Sequence, residues 1–196
     1  MARYGIYVDV KRCIGCYSCV VGCKNWHQIE ADVGSRIRIV DTINGRYPDI
    51  TRWVFPIFCM QCESPPCVEV CPEEATYKRE DGIIVIDEAK CIGCGACVEA
   101  CPYAARYIDE AQQKARKCDF CADRVDEGLI PLCIDACPGE ALLFGDLDDP
   151  NSPITKLINS QDTITLLPNE KTKPNVYYGV LPEELYNPES VAKLTD

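Results

Sequence analysis

Apolar residues along this chain come in short alternations and short runs, with no long helical stripe. Tyr4–Val10 and Gly82–Asp87 alternate or run apolar and read as short strands, each leading into a cysteine-rich loop. Val68–Cys71, Val98–Cys101 and Ile134–Cys137 read as single helical turns, each stopped by the proline that follows its last cysteine. From Pro150 onward the cysteines stop, and prolines and polar residues dominate, which predicts an extended tail that wraps a partner and builds no core. The longest apolar runs, such as Ile83–Ile86 and Ala141–Phe144, fall far short of the ~18–20 residues of a membrane span. Met1–Tyr7 carries neither an apolar signal core nor a twin-arginine pair, so the sequence predicts no targeting segment and membrane contact only through a partner.

Composition sharpens this picture. A chain of 196 residues suits one compact domain or two small interlocked units. Its sparse aliphatic pattern leaves much of the core to cross-links or metals. The formal charge of −11 argues against nucleic acid, whose phosphates are bound by an excess of Lys and Arg, and against a polybasic membrane-surface site. With one histidine, His27, haem and most catalytic zinc or non-haem iron sites are nearly closed, and His27 beside Trp26 is expected to pack or to face a partner. There is no G-x-G-x-x-G and no phosphate-loop run, and no Ser/His/Asp set can be assembled. Nothing suggests a site that transforms a small substrate.

The sixteen cysteines fall into four groups of four. Cys13, Cys16, Cys19 and Cys23 form group one; Cys59, Cys62, Cys67 and Cys71 group two; Cys91, Cys94, Cys97 and Cys101 group three; and Cys118, Cys121, Cys133 and Cys137 group four. Disulfide scaffolds scatter cysteines among the loops they staple, whereas these are bunched. Groups one and three share C-x2-C-x2-C-x3-C, and group three ends in Cys101-Pro102, the run of bacterial two-cluster ferredoxins. Group one departs from it, with Lys24 in the proline position. Groups two and four keep the C-x2-C start and C-x3-C-P end around longer middle gaps. The chain repeats outside the cysteines too. Asp9 and Asp87 each stand four residues before a group, Ile14-Gly15 matches Ile92-Gly93, and Ala75, Ala105 and Ala141 each follow a C-P cysteine by four. One ancestral unit used four times accounts for these matches.

This spacing fits cubane [4Fe–4S] clusters, in which each of four irons takes one thiolate. C-x2-C-x2-C curls three sulfurs around three corners, with Gly15 and Gly93 permitting close approach, and the last cysteine of each group points away to serve another cluster. If the groups nest, two with three and one with four, the ligand sets follow. One cluster takes Cys13, Cys16, Cys19 and Cys137. A second takes Cys118, Cys121, Cys133 and Cys23. A third takes Cys59, Cys62, Cys67 and Cys101. A fourth takes Cys91, Cys94, Cys97 and Cys71. Zinc, which pairs C-x2-C knuckles across a spacer, fits groups one and three poorly. Ala75, Ala105 and Ala141 either leave room beside the clusters or pack as ordinary helix residues. Lys11, Arg12, Lys90, Arg116 and Lys117 are expected to be solvated surface charges, with the tuning of cluster potentials as the alternative.

Four such groups in this order, the last widened to C-x2-C-x11-C-x3-C-P, resemble the iron–sulfur (beta) subunits of the dimethyl sulfoxide reductase superfamily, nearest in look to those of polysulfide, thiosulfate and arsenate reductase type. Cys62-Glu63-Ser64-Pro65-Pro66-Cys67, Cys101–Tyr107 and Phe144–Pro150 carry the resemblance further. It implies an α+β fold of two interlocked two-cluster ferredoxin-like units. Residues 1–52 with 103–149 would form the outer unit, 53–102 the inserted unit, and 150–196 the tail. It also implies a non-catalytic wire: single electrons pass through four [4Fe–4S] clusters between a large molybdenum or tungsten bis-pterin catalytic subunit and a quinone-linked membrane subunit or other redox partner. The unit of groups one and four would face the catalytic subunit. Some relatives place tryptophan at a group-three ligand and build a three-iron cluster there; all four cysteines stand here, so complete cubanes are expected. Val176–Asp196, with charges and two prolines, predicts no C-terminal membrane anchor. Export with the catalytic subunit would bring the chain to the periplasmic or outer face, with the cytoplasm as the alternative. Two other readings stay open, a structural subunit with non-cycling clusters and a free ferredoxin serving several enzymes.

Overall fold

The computed structural model describes residues 2–186 and has mixed α+β architecture. The elements run β1 (Tyr4–Val8), α1 (Ser18–Trp26), β2 (Ile37–Arg46), β3 (Asp49–Phe58), α2 (Pro66–Glu69), β4 (Thr76–Lys78), β5 (Ile84–Ile86), α3 (Ala96–Glu99), β6 (Arg106–Asp109), β7 (Lys114–Lys117), α4 (Ala122–Asp126), α5 (Leu132–Asp135), β8 (Leu142–Asp146), α6 (Pro153–Ser160), β9 (Thr163–Ile164) and β10 (Val176–Gly179). The expected strands and helical turns are present within a residue or two. Three hairpins, β2–β3, β4–β5 and β6–β7, alternate with the cysteine groups and carry the chain from each group to the next. The short helices do the pairing: α1 packs on α5, joining groups one and four, and α2 packs on α3, joining groups two and three.

The main sheet has the order β8-β1-β10-β9. β1 runs antiparallel to β8, with Ile6 opposite Phe144, and parallel to β10, with Ile6 opposite Val176. This overturns the expectation of an extended tail after Pro150. Within the described residues that stretch supplies an interior strand, and Ile154, Leu166, Leu167, Val176, Tyr178, Leu181 and Leu185 are all buried. The physical reason is that β1 would otherwise expose a full edge of unpaired N–H and C=O groups. Asn175 holds β10 in place: its backbone N–H donates to the Met60 carbonyl at 2.9 Å, and its side-chain Nδ2 donates to the Gln61 carbonyl at 2.7 Å. The last part of the expected tail, 187–196, lies outside the described residues.

The sequence pattern assigns no strand to 37–58, where two ten-residue strands, β2 and β3, pair as a hairpin. Val40, Phe55, Ile57 and Phe58 at the base are buried, while Ile43, Tyr47 and Ile50 towards the tip are exposed. The apolar core divides unequally. A large cluster spans the main sheet, the hairpin base and three of the cysteine groups. A small second one contains only Cys67, Ala75, Cys91, Cys97 and Ala115 as buried members.

Candidate metal centres

The cysteine loops are built by one repeated local device. Asp9 Oδ1 accepts the backbone N–H groups of Lys11 and Arg12, and Asp87 Oδ1 accepts those of Ala89 and Lys90. The backbone carbonyls of the same two aspartates accept the N–H groups of Cys13 and Cys91, and their own N–H groups donate to Ala141 and Ala75. Each cysteine loop is thereby pinned to the end of a partner group, which is the reason for the Asp-x3-Cys match.

The C-P ends repeat as closely. Glu74, Ala104 and Glu140, three residues after Cys71, Cys101 and Cys137, all take left-handed backbone, and each donates its N–H to the carbonyl of that cysteine. The turn throws the next N–H back onto the sulfur. Ala141 N donates to Cys137 Sγ at 3.4 Å, and the N–H groups of Ala75 and Ala105 lie against the sulfurs of Cys71 and Cys101. The three alanines are buried. In group one Lys24 replaces the proline, α1 runs on through Trp26, and the fourth residue after Cys23 is His27.

The folding brings the cysteines into four sets. Cys13, Cys16, Cys19 and Cys137 line one cavity, and Cys71, Cys91, Cys94 and Cys97 line another. Cys23 gathers with Cys118, Cys121 and Cys133: burial, then neighbouring charges that include Cys121, pushes the Cys23 thiol up to about 12; Cys118 is raised by burial first and then by Cys133, and Cys133 by burial first and then by Cys121 and Cys23. Cys62 and Cys67 are pushed up to about 12 and about 11 by burial, with Cys59 and Cys101 as charge neighbours of both. Neighbouring sets lie within reach of one another's charges: Cys19 acts on Cys133 and Cys23, Cys59 acts on Cys118, and Arg106 lies among Cys67, Cys59, Cys97 and Cys101. Cys16 and Cys94, in the outermost sets, are the exposed cysteines; nine others are buried.

At Cys23, Cys62, Cys67, Cys118 and Cys133 burial disfavours the bare thiolate unless cations neutralise it. All-thiolate donors, backbone N–H groups aimed at the sulfurs and glycines at the tightest loop positions fit an iron–sulfur cubane. At Gly93, with φ +70°, an added Cβ would lie 2.3 Å from the Gln113 carbonyl oxygen; at Gly15, with φ +66°, it would lie 2.8 Å from Val54 Cγ2.

Several residues beside these sets escaped sequence reasoning. His27 Nε2 is 3.6 Å from Cys121 Sγ, and Arg36, largely buried, pairs with Asp119 at 2.9 Å next to the set around Cys118. Arg106 is buried with Nη2 donating to Cys67 Sγ at 2.9 Å. Lys117, expected at the surface, is 3% exposed; it precedes Cys118 on a strand whose inward face it shares with Ala115, so the alternation of β7 turns it inside. Lys11, Arg12 and Lys90 are exposed as expected, while Arg116 is largely covered and paired with Glu88 and Asp109.

Comparison with known proteins agrees with this chemistry. Residues 50–147 match the 4Fe-4S dicluster domain model, and residues 11–26 match a 4Fe-4S binding domain. The chain is 40% identical over 189 residues to the B subunit of tetrathionate reductase from Salmonella typhimurium, covering 95% of this chain and 76% of that protein. It is 39% identical over 178 residues to the B subunit of polysulfide reductase from Wolinella succinogenes, covering 89% and 93%. The B subunit of sulfite dehydrogenase from Allochromatium vinosum is 36% identical over 228 residues, covering 100% and 95%. The chain therefore belongs to the iron–sulfur B subunits of molybdoenzyme reductases, electron-transfer proteins with 4Fe-4S dicluster domains.

Proposed function

We propose that the sixteen cysteines hold four [4Fe–4S] clusters in single file, and that this chain relays single electrons along them between a molybdenum or tungsten bis-pterin catalytic subunit and a second redox partner, such as a quinone-linked membrane subunit. Site 1 comprises Cys13, Cys16, Cys19 and Cys137; site 2, Cys23, Cys118, Cys121 and Cys133; site 3, Cys59, Cys62, Cys67 and Cys101; site 4, Cys71, Cys91, Cys94 and Cys97. Bound clusters supply reversible one-electron chemistry at these stations. The chain supplies the thiolates, the N–H donors that stabilise added negative charge, and the exclusion of water from the interior of the file.

The observation that carries this reading is the burial gradient. The inner sets are almost wholly buried, while each outer set reaches the surface through a C-I-G-C loop, with Ile14 64% and Ile92 60% exposed. A wire needs this arrangement, covered in the middle and open to partners at both ends. The contacts of α1 with α5 and of α2 with α3 support two interlocked units, 1–52 with 103–149 and 53–102. By family resemblance the site 1 end faces the catalytic subunit, and the complex sits at the outer face of a membrane. No described helix is long and apolar enough to cross one.

The test is metal analysis and substrate-linked reduction on the complex purified without oxygen. About sixteen irons and sixteen sulfides per chain are expected, with every cluster reducible reversibly through a partner. Substantial zinc, iron near half that value in protected protein, or clusters that stay oxidised while the catalytic subunit turns over would overturn the wire.

A further inference from the structure

Arg106 on β6 and Lys117 on β7 stand directly opposite each other in the ladder, and they are 5% and 3% exposed. Arg106 Nη2 donates to Cys67 Sγ at 2.9 Å and Nη1 donates to Thr76 Oγ1 at 3.2 Å, while its buried Nε has no partner. Lys117 Nζ donates to the carbonyls of Ile84 and Cys118. Among the described residues neither side chain forms a salt bridge to a carboxylate. Asp119, which lies within reach of the Lys117 charge, is tied to Arg36. Like charges opposite one another in a ladder repel, and buried cations without an anion are costly. This pair is stable only beside a compensating negative charge, and of the sulfurs around Arg106 three, Cys67, Cys59 and Cys101, belong to site 3 and one, Cys97, to site 4.

We propose that Arg106 and Lys117 are a built counter-charge for the group held by Cys59, Cys62, Cys67 and Cys101, and that they make site 3 the station of highest reduction potential in the file. The inference rests on the four-cluster reading above. Reduction adds one negative charge at the station that accepts the electron, and a neighbouring station loses it. Fixed buried cations favour the reduced form more than the oxidised one. The other sites lack this arrangement. At site 2 the cation Arg36 is neutralised by Asp119 at 2.9 Å. At sites 1 and 4 the neighbouring Lys11, Arg12 and Lys90 are exposed and screened by water, and Lys114, half-buried with Nζ donating to the Cys91 carbonyl, stands opposite the carboxylate of Asp109 in the ladder. An electron entering at either end therefore settles in the buried interior, one step from site 2 and one from site 4, where Arg106 also reaches Cys97.

The experiment is a redox titration of the purified complex followed by electron paramagnetic resonance, with iron counted for every variant. Arg106→Gln and Lys117→Gln should each lower the highest of four couples and move the other three less; Arg106→Lys should largely restore it. Unchanged couples in variants that keep their iron would overturn the proposal, as would a fall in a lower couple instead. Should the neutral variants lose iron, the wild-type complex grown with guanidino-15N arginine decides. Poised so that only the first-reduced species is paramagnetic, it should show 15N hyperfine coupling from a guanidinium hydrogen-bonded to sulfur. Arg36 donates no such bond among the described residues. No 15N coupling in that species would overturn the proposal even with four intact couples. Fewer than four couples in the wild type would instead overturn the four-cluster reading itself.

Discussion

At the scale of single residues, the loops around the metal sites are limited by backbone clearance, and the glycines measure it. Gly95, with φ +80°, has nothing within 4 Å of where a Cβ would stand, so Gly95→Ala should carry only the left-handed penalty, roughly 1–2 kcal/mol. Gly93, two residues earlier, would in addition drive its Cβ into the Gln113 carbonyl, a backbone atom fixed by the β6–β7 turn. Gly93→Ala should therefore empty site 4, with iron per chain falling by about a quarter, while Gly95→Ala stays fully loaded. Equal iron in both variants would show that the loop can give way and that the close approach is incidental. The one irregular position in the repeat has an equally local account. Lys24, where the other groups carry proline, donates Nζ to the carbonyls of Glu30, Ala31 and Val33 at 3.0, 3.0 and 2.8 Å. It folds the following loop back over α1, and because α1 is not stopped there, His27 arrives beside Cys121. A proline at this position would end the helix early and remove both contacts.

At the scale of elements, what the sequence made legible is what cysteine spacing and strict alternation control. The C-P turns and the strand into each C-I-G-C loop follow from residues within ten positions of one another, and the four cysteine groups from runs of at most twenty residues. The parts that escaped depend on distant partners. β10 is short and set among prolines, and Val176 and Tyr178 read as core only once β1 lies on one side and β9 on the other. β2–β3 escaped because its outer half is polar and exposed, so that alternation is clean only near Val40 and Phe55. Arg106 escaped, and Lys117 reads first as a solvated charge with tuning of a cluster only as the alternative, because charged residues are read as solvated unless an anion is known to be nearby. The two accounts of the C-terminal stretch give opposite results for one truncation. A partner-wrapping tail could be cut after Pro174 with cluster loading intact and only the complex lost. An interior strand cannot: removing β10 exposes the β1 edge, strips Tyr178 from its bond to the Pro56 carbonyl at 3.2 Å, and uncovers Met60 and Gln61 beside Cys62. The 1–174 chain should be insoluble or short of iron when produced alone. Full loading of that chain would return the segment to the role of a tail.

At the scale of the whole molecule, the metal sites and the fold contribute unequally at the two ends. The main sheet around β1 carries an aliphatic and aromatic core with Ile6, Val8, Phe55, Phe120 and Tyr178 buried, and it would retain apolar burial of about 1.5–3 kcal/mol per large side chain without any cluster. The site 4 end has a smaller reserve, chiefly Ile83 and Ile84. Three of the five buried members of its small core are cysteines and the other two are alanines. Without iron, those sulfurs lose the metal bonds that tie α2 and α3 together, and the buried apolar residues left at that end, chiefly Ile83 and Ile84, are few. Stability should therefore fall unevenly as iron is withdrawn. Hydrogen exchange followed during stepwise chelation under mild oxidation is the check. Amides of β4, β5, α2 and α3 should lose protection first and together, while β1, β8 and β10 stay protected until later. Loss of the main sheet first, or of all elements at once, would mean that the clusters support a single cooperative unit and that the aliphatic core is not an independent source of stability. The expected order also bears on function, because the end that depends most on its cluster is an end open to a partner. A bound partner covering Ile92 and Cys94 should slow iron loss at site 4 more than at any other site.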